Sequence, residues 1–226
     1  MSLNFLIKYS HFFISGTKIT LIISLFTIII GVTLGIVFAI MRISKNVILH
    51  SLATAYIEFI RGTPLLVQLY IIYYGLPLLG IQLPSVSIIS DNFSDILAAI
   101  IALSINSSAY SAEIFRAGIQ AVDKGQMEAA RSLGMSYKTA MFHIILPQAL
   151  KNVLPAIGNE FVSIIKESAI VSVIGIHELM FNADTVRGIT FKPFSPLIIS
   201  AIIYFLITFT LSKFIKIGER RLNLND

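Results

Sequence analysis

The chain is 226 residues long, 56% hydrophobic and only 13% charged, with a formal net charge of +5. Ordinary soluble domains carry about 25% charged residues, so most soluble folds are excluded and lipid becomes the expected solvent. Cysteine is absent, which removes disulfide frameworks, thiolate metal sites and thiol catalysts.

A helix needs about 20 predominantly apolar residues to cross a bilayer core. Residues 19–41 carry no charge over 23 positions, and the first span is placed at about 17–41. Within it Gly31 and Gly35 form a small-xxx-small pair suited to seating a neighbouring helix. The second span is placed at about 55–78, with Pro64 and Pro77 expected to bend or end it. The third covers about 96–115 and grows polar toward its end. The fourth, about 154–174, is apolar by composition yet holds Glu160, Lys166 and Glu167; the fifth covers about 193–212. The expected fold is all-α, an integral membrane bundle of five transmembrane helices in one domain, 1–226, without repeats or linkers.

Lysine and arginine in short loops set orientation. Eleven fall in the loop after span one, the loop between spans three and four, and the tail; four fall on the other side. The amino terminus is therefore expected outside and the carboxyl terminus in the cytoplasm. The positive excess reads as membrane topology, not as nucleic-acid binding.

Catalytic signatures are missing. There is no G-x-x-x-x-G-K-[ST] phosphate cradle and no H-E-x-x-H spacing among His11, His50, His143 and His177. His177-Glu178 begins like a metalloprotease motif, but no second histidine follows, and a loop residue is the plainer reading. No serine sits in G-x-S-x-G. Asn92 and Asn106 head glycosylation-like triplets, more simply a loop and a polar stretch of a span. If energy is used, another subunit must supply it.

The cytoplasmic loop, about 117–149, is the most patterned segment. Residues 126–133 favour helix, Gly134 stands where a helix often ends in a left-handed residue, and Ser136 can cap a second stretch, 137–145, ahead of Pro147. A short helix presenting Glu128 and Arg131 around Ala129 and Ala130 suits docking, since alanine allows close approach while the charges orient. A surface helix lying on the bilayer is the alternative.

Glu128, Ala129 and Ala130, then Gly134, Ile144, Leu146 and Pro147 at fixed spacing, resemble the EAA motif of membrane subunits of bacterial ABC importers. Residues 58–69 (EFIRGTPLLVQL), 109–120 (AYSAEIFRAGIQ), Gly158-Asn-Glu-Phe161 and Lys166-Glu-Ser168 are similar to its polar amino acid branch, the histidine, glutamine and arginine type. The similarity covers roughly residues 10–220. It implies a type I importer permease fold in which Glu128, Ala129, Ala130, Arg131 and Gly134 form a coupling helix held in a groove of an ATPase subunit. It further implies a second permease subunit, two ATPase subunits that bind ATP and Mg, an external substrate-binding protein, and no cofactor in this chain. Localisation in the bacterial plasma membrane follows.

Ionisable residues inside a span are costly and mark functional sites. In span four, Asn159, Ser163 and Lys166 recur at i, i+4 and i+7, and Glu160, Ser163 and Glu167 at i, i+3 and i+7. Span three offers Asn106, Tyr110 and Glu113 at the same spacing. Two such flanks, with Thr63 beside Pro64, would line a mid-membrane cavity in which Glu160 receives an ammonium and Asn159 and Ser163 supply donors and acceptors. An amino acid fits, and an uncompensated Glu160 favours a cationic one; the alternative is that Glu160 pairs with a neighbouring subunit. Glu58 with Arg61, and Glu113 with Arg116, read as local ion pairs. The reading is thus the membrane subunit of an ATP-driven importer for polar, cationic amino acids. A gradient-driven secondary carrier or channel stands behind it.

Overall fold

The computed structural model describes residues 3–84 and 93–223. Asn92, head of the first glycosylation-like triplet, lies outside them. The α-helices among the described residues are α1 (Leu3–Ile43), α2 (Val47–Arg61), α3 (Leu65–Leu78), α4 (Phe93–Gln120), α5 (Lys124–Ser132), α6 (Tyr137–Ala140), α7 (Leu146–Glu167), α8 (Leu179–Thr190) and α9 (Ser195–Asn223). A π-helical segment, Met141–Ile145, joins α6 to α7, and a 3-10 segment, Ser168–Ile174, extends α7. Five passages run through the bundle: α1, the pair α2 and α3, α4, α7 and α9.

Phe5–Ile43, Phe93–Gln120 and Ser195–Arg221 are long and apolar enough to cross a membrane. Their packing differs from that of a soluble core. Small polar residues meet between helices, with Thr20, Ser24, Thr27, Ser104, Ser107, Ser108 and Ser111 all buried, while Ile29, Ile40 and Phe205 stand exposed. This follows from the solvent: lipid does not drive apolar groups inward, so helices associate through close packing of small residues.

Gly31 and Gly35 let α1 approach α4 closely. A Cβ on Gly31 would lie 2.8 Å from Ser107 Oγ, and one on Gly35 would lie 2.5 Å from Ser111 Cβ and 3.1 Å from the Ser108 carbonyl. The register rises together on both helices, so α1 and α4 run parallel.

Span one starts earlier than expected. Helix α1 continues back to Leu3, and its 41 residues reach about 60 Å at 1.5 Å per residue. Its first turns bury Phe5 and Phe13 against Leu179, Ala183 and Val186 of α8 and Ile199 of α9, which rewards the extension.

Span two is two helices. Gly62 ends α2 by donating to the Glu58 carbonyl at 2.8 Å, and Pro64 opens α3. Proline disfavours helix at Thr63 and lacks a donor, so the two breaker residues around Thr63 interrupt the passage. Pro77 sits inside the last turn of α3, and Pro155 sits inside α7.

Pro147 does not stop the helix that begins at Tyr137. The chain widens into the π segment and continues as α7 with Pro147 in its first turn. A proline cannot bond the carbonyl four residues back and its ring crowds that oxygen, so a wider turn just before it relieves the clash. Gln148 Nε2 donates to the Ile144 carbonyl at 2.9 Å and His143 Nδ1 lies 3.0 Å from the Thr139 carbonyl, side chains serving the loosened turns.

Glu178 is no ordinary loop residue. Fully buried, it caps α8 by accepting from Met180 N at 2.8 Å and Phe181 N at 2.7 Å, and it also accepts from Tyr204 Oη of α9 at 2.8 Å. Thr20 of α1 accepts from Leu179 N at 3.2 Å, and Asn182 Nδ2 donates to the Phe12 carbonyl at 3.0 Å. Three helices are thereby tied at the end of the bundle far from α5.

Candidate functional site

The break between α2 and α3 opens a cleft of about 440 Å³ against α4 and α7, lined by Thr63, Pro64, Leu65, Asn106, Tyr110, Lys166, Glu167 and Ile170. Its walls are positioned by a side-chain network. Gln68, buried on α3, donates through Nε2 to the Ile60 carbonyl at 2.7 Å and to Thr63 Oγ1 at 2.8 Å. Thr63 Oγ1 in turn donates to the Phe59 carbonyl at 2.9 Å. Gln68 Oε1 accepts from Asn106 Nδ2 at 2.9 Å, which joins the break to α4. Backbone carbonyls released by a helix break in lipid need such partners, and here side chains occupy them, so the Phe59 and Ile60 carbonyls do not stand free as cavity acceptors.

Thr63, Asn106 and Tyr110 therefore meet in one cleft. Glu160, Asn159 and Ser163 are absent from its lining. The expected single pocket is divided because seven residues separate Glu160 from Glu167, two helical turns or about 10 Å along α7. At its own level Glu160 is half-buried and Oε1 accepts from Ser107 Oγ at 3.1 Å; Asn159 is exposed and Ser163 half-buried. Lys166 and Glu167 take the places in the cleft wall. Their mid-span charges mark them in the sequence, but only the position of the break shows which level of α7 it faces. Gln68 is likewise visible only as a lone amide in an apolar run.

Toward the α5 end, α1, α2 and α4 are joined by charge. Arg42 Nη1 donates to Glu113 Oε2 at 2.8 Å and its Nη2 lies 4.0 Å from Glu58, while Arg116 Nε donates to Glu113 at 3.0 Å. Glu113 and Arg116 form the expected local pair. Glu58 and Arg61 do not, because Glu58 faces Arg42 and the Arg61 guanidinium lies 5.5 Å from the centre of the Tyr110 ring, at the edge of the cleft.

Beyond this cluster α5 projects from the bundle. Asp123 caps it, accepting from Gly125 N at 2.6 Å. Gly134 ends it at φ +87°, where Met135 N donates to the Ala130 carbonyl and Gly134 N to the Arg131 carbonyl, both at 3.1 Å. That is a Schellman closure, which requires a left-handed residue at this position. Glu128, Ala129 and Arg131 are exposed, and Leu133 is 84% exposed at the tip. Ala130 is buried, so the expected face of four residues loses one to the packing of α5 on its own stem. Arg131 Nη1 folds back to the Met135 carbonyl at 2.7 Å.

A bundle of small-residue contacts, a broken mid-bundle helix and a protruding two-turn helix match known proteins. The family of binding-protein-dependent transport system inner membrane components matches residues 31–224. The chain belongs to that family. Among the relatives of this permease, an arginine transport system permease protein of Bacillus subtilis is 45% identical over 95% of this chain and 94% of its own. A putative glutamine transport system permease protein of Rickettsia typhi is 41% identical over 99% of this chain and 100% of its own. A crystal structure of an amino acid ABC transporter with histidines superposes with a TM-score of 0.88 at 50% identity, covering 98% of this permease and 100% of that chain. An inward-facing methionine ABC transporter, at 16% identity and a TM-score of 0.70, shares the fold.

Proposed function

We propose that this permease is the transmembrane subunit of an ATP-driven importer of polar, cationic amino acids. It works beside a second permease subunit, identical or paralogous, with two ATPase subunits that bind ATP and Mg and an external binding protein that delivers substrate. The amino terminus faces outward and the carboxyl terminus the cytoplasm. The observation that carries the reading is the cleft at the α2–α3 break, whose lining brings Thr63, Asn106 and Tyr110 against the charged wall of α7. Clefts of roughly 300–1,000 Å³ with a few convergent polar groups are the usual form of a small-molecule site. Glu160, with Asn159 and Ser163, lies earlier on α7 as a second station of the same path. The permease with 45% identity is an arginine transporter component, and another with 41% is assigned to glutamine, which supports an amino acid substrate.

Coupling runs through Glu128, Ala129, Ala130, Arg131 and Gly134. When ATP binding draws the ATPase subunits together, α5 moves with them and the π segment passes that motion into α7. The ATPase contacts differ between the two states of the bundle, and that difference biases access from one face to the other. Co-expression with candidate ATPase subunits, followed by ATPase stimulation across arginine, lysine, histidine, glutamine and glutamate, tests this directly. Copurification with stimulation strongest for the basic amino acids supports it. Stimulation by none of the five removes the amino acid assignment.

A further inference from the structure

We infer that the groove between α1, α7 and α9 binds an acyl chain of an anionic phospholipid, whose headgroup phosphate meets the basic residues at the carboxyl end of α9. The inference goes beyond the proposed function and does not depend on which substrate is carried.

The groove lies apart from the cleft at the α2–α3 break. It has a volume of about 500 Å³, and its lining includes Leu21 of α1, Phe161 and Ile165 of α7, and Leu206, Thr210 and Phe214 of α9. Among the described lining residues only Thr210 is polar. The groove exists because α9 is held to the bundle at two separated levels. At one, Tyr204 Oη donates to Glu178 at 2.8 Å. At the other, a Cβ on Gly158 of α7 would lie 2.8 Å from Ile215, so α7 and α9 touch there. Tyr204 and Ile215 stand about 16 Å apart along the helix, close to the roughly 15 Å of hydrocarbon in one leaflet. Spread over that length, the volume leaves a section of roughly 30 Å², which admits a hydrocarbon chain and not a helix, about 10 Å across with its side chains.

The charge comes from the end of α9. Lys213, Lys216, Arg220 and Arg221 are exposed, and Glu219 is the single carboxylate of that stretch among the described residues. Phe214 stands at the end of the groove, 67% exposed. Lys213 precedes it, and Arg221, seven residues on, falls on the same stripe of the helix, whereas Glu219 falls on the opposite side. Lys213 Nζ lies 4.7 Å from the centre of the Phe209 ring, which holds its charge beside the apolar surface. Clusters of four or more basic residues just beyond a membrane span attract anionic headgroups. A second copy docking by this face would set two such tails against each other, and like charges oppose that arrangement.

The test uses the permease purified with its partner subunits, stripped of lipid in detergent and then given equal amounts of phosphatidylglycerol and phosphatidylcholine with identical acyl chains. Native mass spectrometry counts the lipid retained. The wild-type complex is expected to keep phosphatidylglycerol over phosphatidylcholine by about tenfold or more. Lys213→Gln, Lys216→Gln and Arg221→Gln combined should still hold lipid but bring the two headgroups to near parity. Thr210→Trp and Leu206→Trp, both at exposed positions, fill the groove, and each should remove one phosphatidylglycerol per permease. The inference is overturned if the wild type shows no preference, if the combined variant keeps it in full, or if both tryptophan variants retain as much phosphatidylglycerol as the wild type. Separation of the two permeases by a tryptophan variant, read from the mass of the complex, would put a second copy in the groove and overturn it also. The glutamine variant changes only exposed side chains, so it reads the headgroup contact even where a tryptophan variant fails to fold.

Discussion

Gln68 Oε1 accepts from Asn106 Nδ2 at 2.9 Å, a bond that joins the broken second passage to α4, and Gln68 Nε2 donates to the Ile60 carbonyl and Thr63. The pair stabilises the break that makes the cleft. Replacing Gln68 by leucine preserves bulk but leaves the Ile60 carbonyl and the Asn106 amide unpaired in a dry interior, at about 1–3 kcal/mol each. Gln68→Leu is expected to lower the thermal midpoint of the detergent-solubilised protein and to abolish uptake; Gln68→Glu should fall between the two. A variant with unchanged midpoint and uptake would show that the break holds itself open.

Gly35 against Ser111 makes a separate prediction. A Cβ 2.5 Å from the Ser111 Cβ has no room, so Gly35→Val should part α1 from α4 and lower the yield of folded protein sharply. Gly218, in α9, meets nothing within 4 Å, and Gly218→Ala should be neutral or slightly stabilising through helix propensity, by up to about 1 kcal/mol. Equal effects of the two changes, read by thermal unfolding, would contradict the close-packing account.

At the opposite end, Glu178 serves two backbone donors of α8 and Tyr204 of α9 together. Glu178→Ala orphans all of them and is expected to cost about 3 kcal/mol or more, whereas Tyr204→Phe removes one hydrogen bond, about 0.5–1.5 kcal/mol. The ranking, Glu178→Ala worse than Tyr204→Phe, is checked by the midpoints of the purified variants.

Gly134 tests the docking role proposed for α5. Its φ of +87° is strained for any residue with a side chain, by about 1–2 kcal/mol. The site is open, so the strain stays local to the tip. Gly134→Val should leave the bundle folded while weakening copurification with the ATPase subunit and substrate-stimulated hydrolysis at least tenfold, and Glu128→Lys should do likewise. Retained copurification and hydrolysis in both would place the ATPase contact elsewhere.

The legible parts of this molecule are those with local causes. The Gly31 and Gly35 seat follows from spacing alone, the left-handed Gly134 from a helix former run that stops at glycine, and the Ser136 cap, accepting from Thr139 N at 3.1 Å, from residue type. What sequence does not carry is pairing at a distance. Glu178 reads as a loop residue until Thr20 and Tyr204, 158 residues behind and 26 ahead, close on it. Thr63, Asn106 and Tyr110 are recognisable as polar groups in apolar spans, but which turn of α7 they face depends on where Gly62 and Pro64 break the second passage. That break brings Lys166 and Glu167 to the cleft and leaves Glu160 two turns away. Pro147 misleads for the same reason, since the π segment before it lets the helix that begins at Tyr137 continue into the charged wall.

On the proposed function, transport through this permease is driven by ATP hydrolysis in partner subunits. The most direct measurement is uptake of labelled arginine by proteoliposomes holding the assembled importer, with binding protein outside and ATP enclosed, after ionophores have collapsed every ion gradient. Accumulation is expected to require enclosed ATP and to persist without a gradient. Uptake that ignores ATP and vanishes with the proton gradient would contradict it and identify a secondary carrier instead.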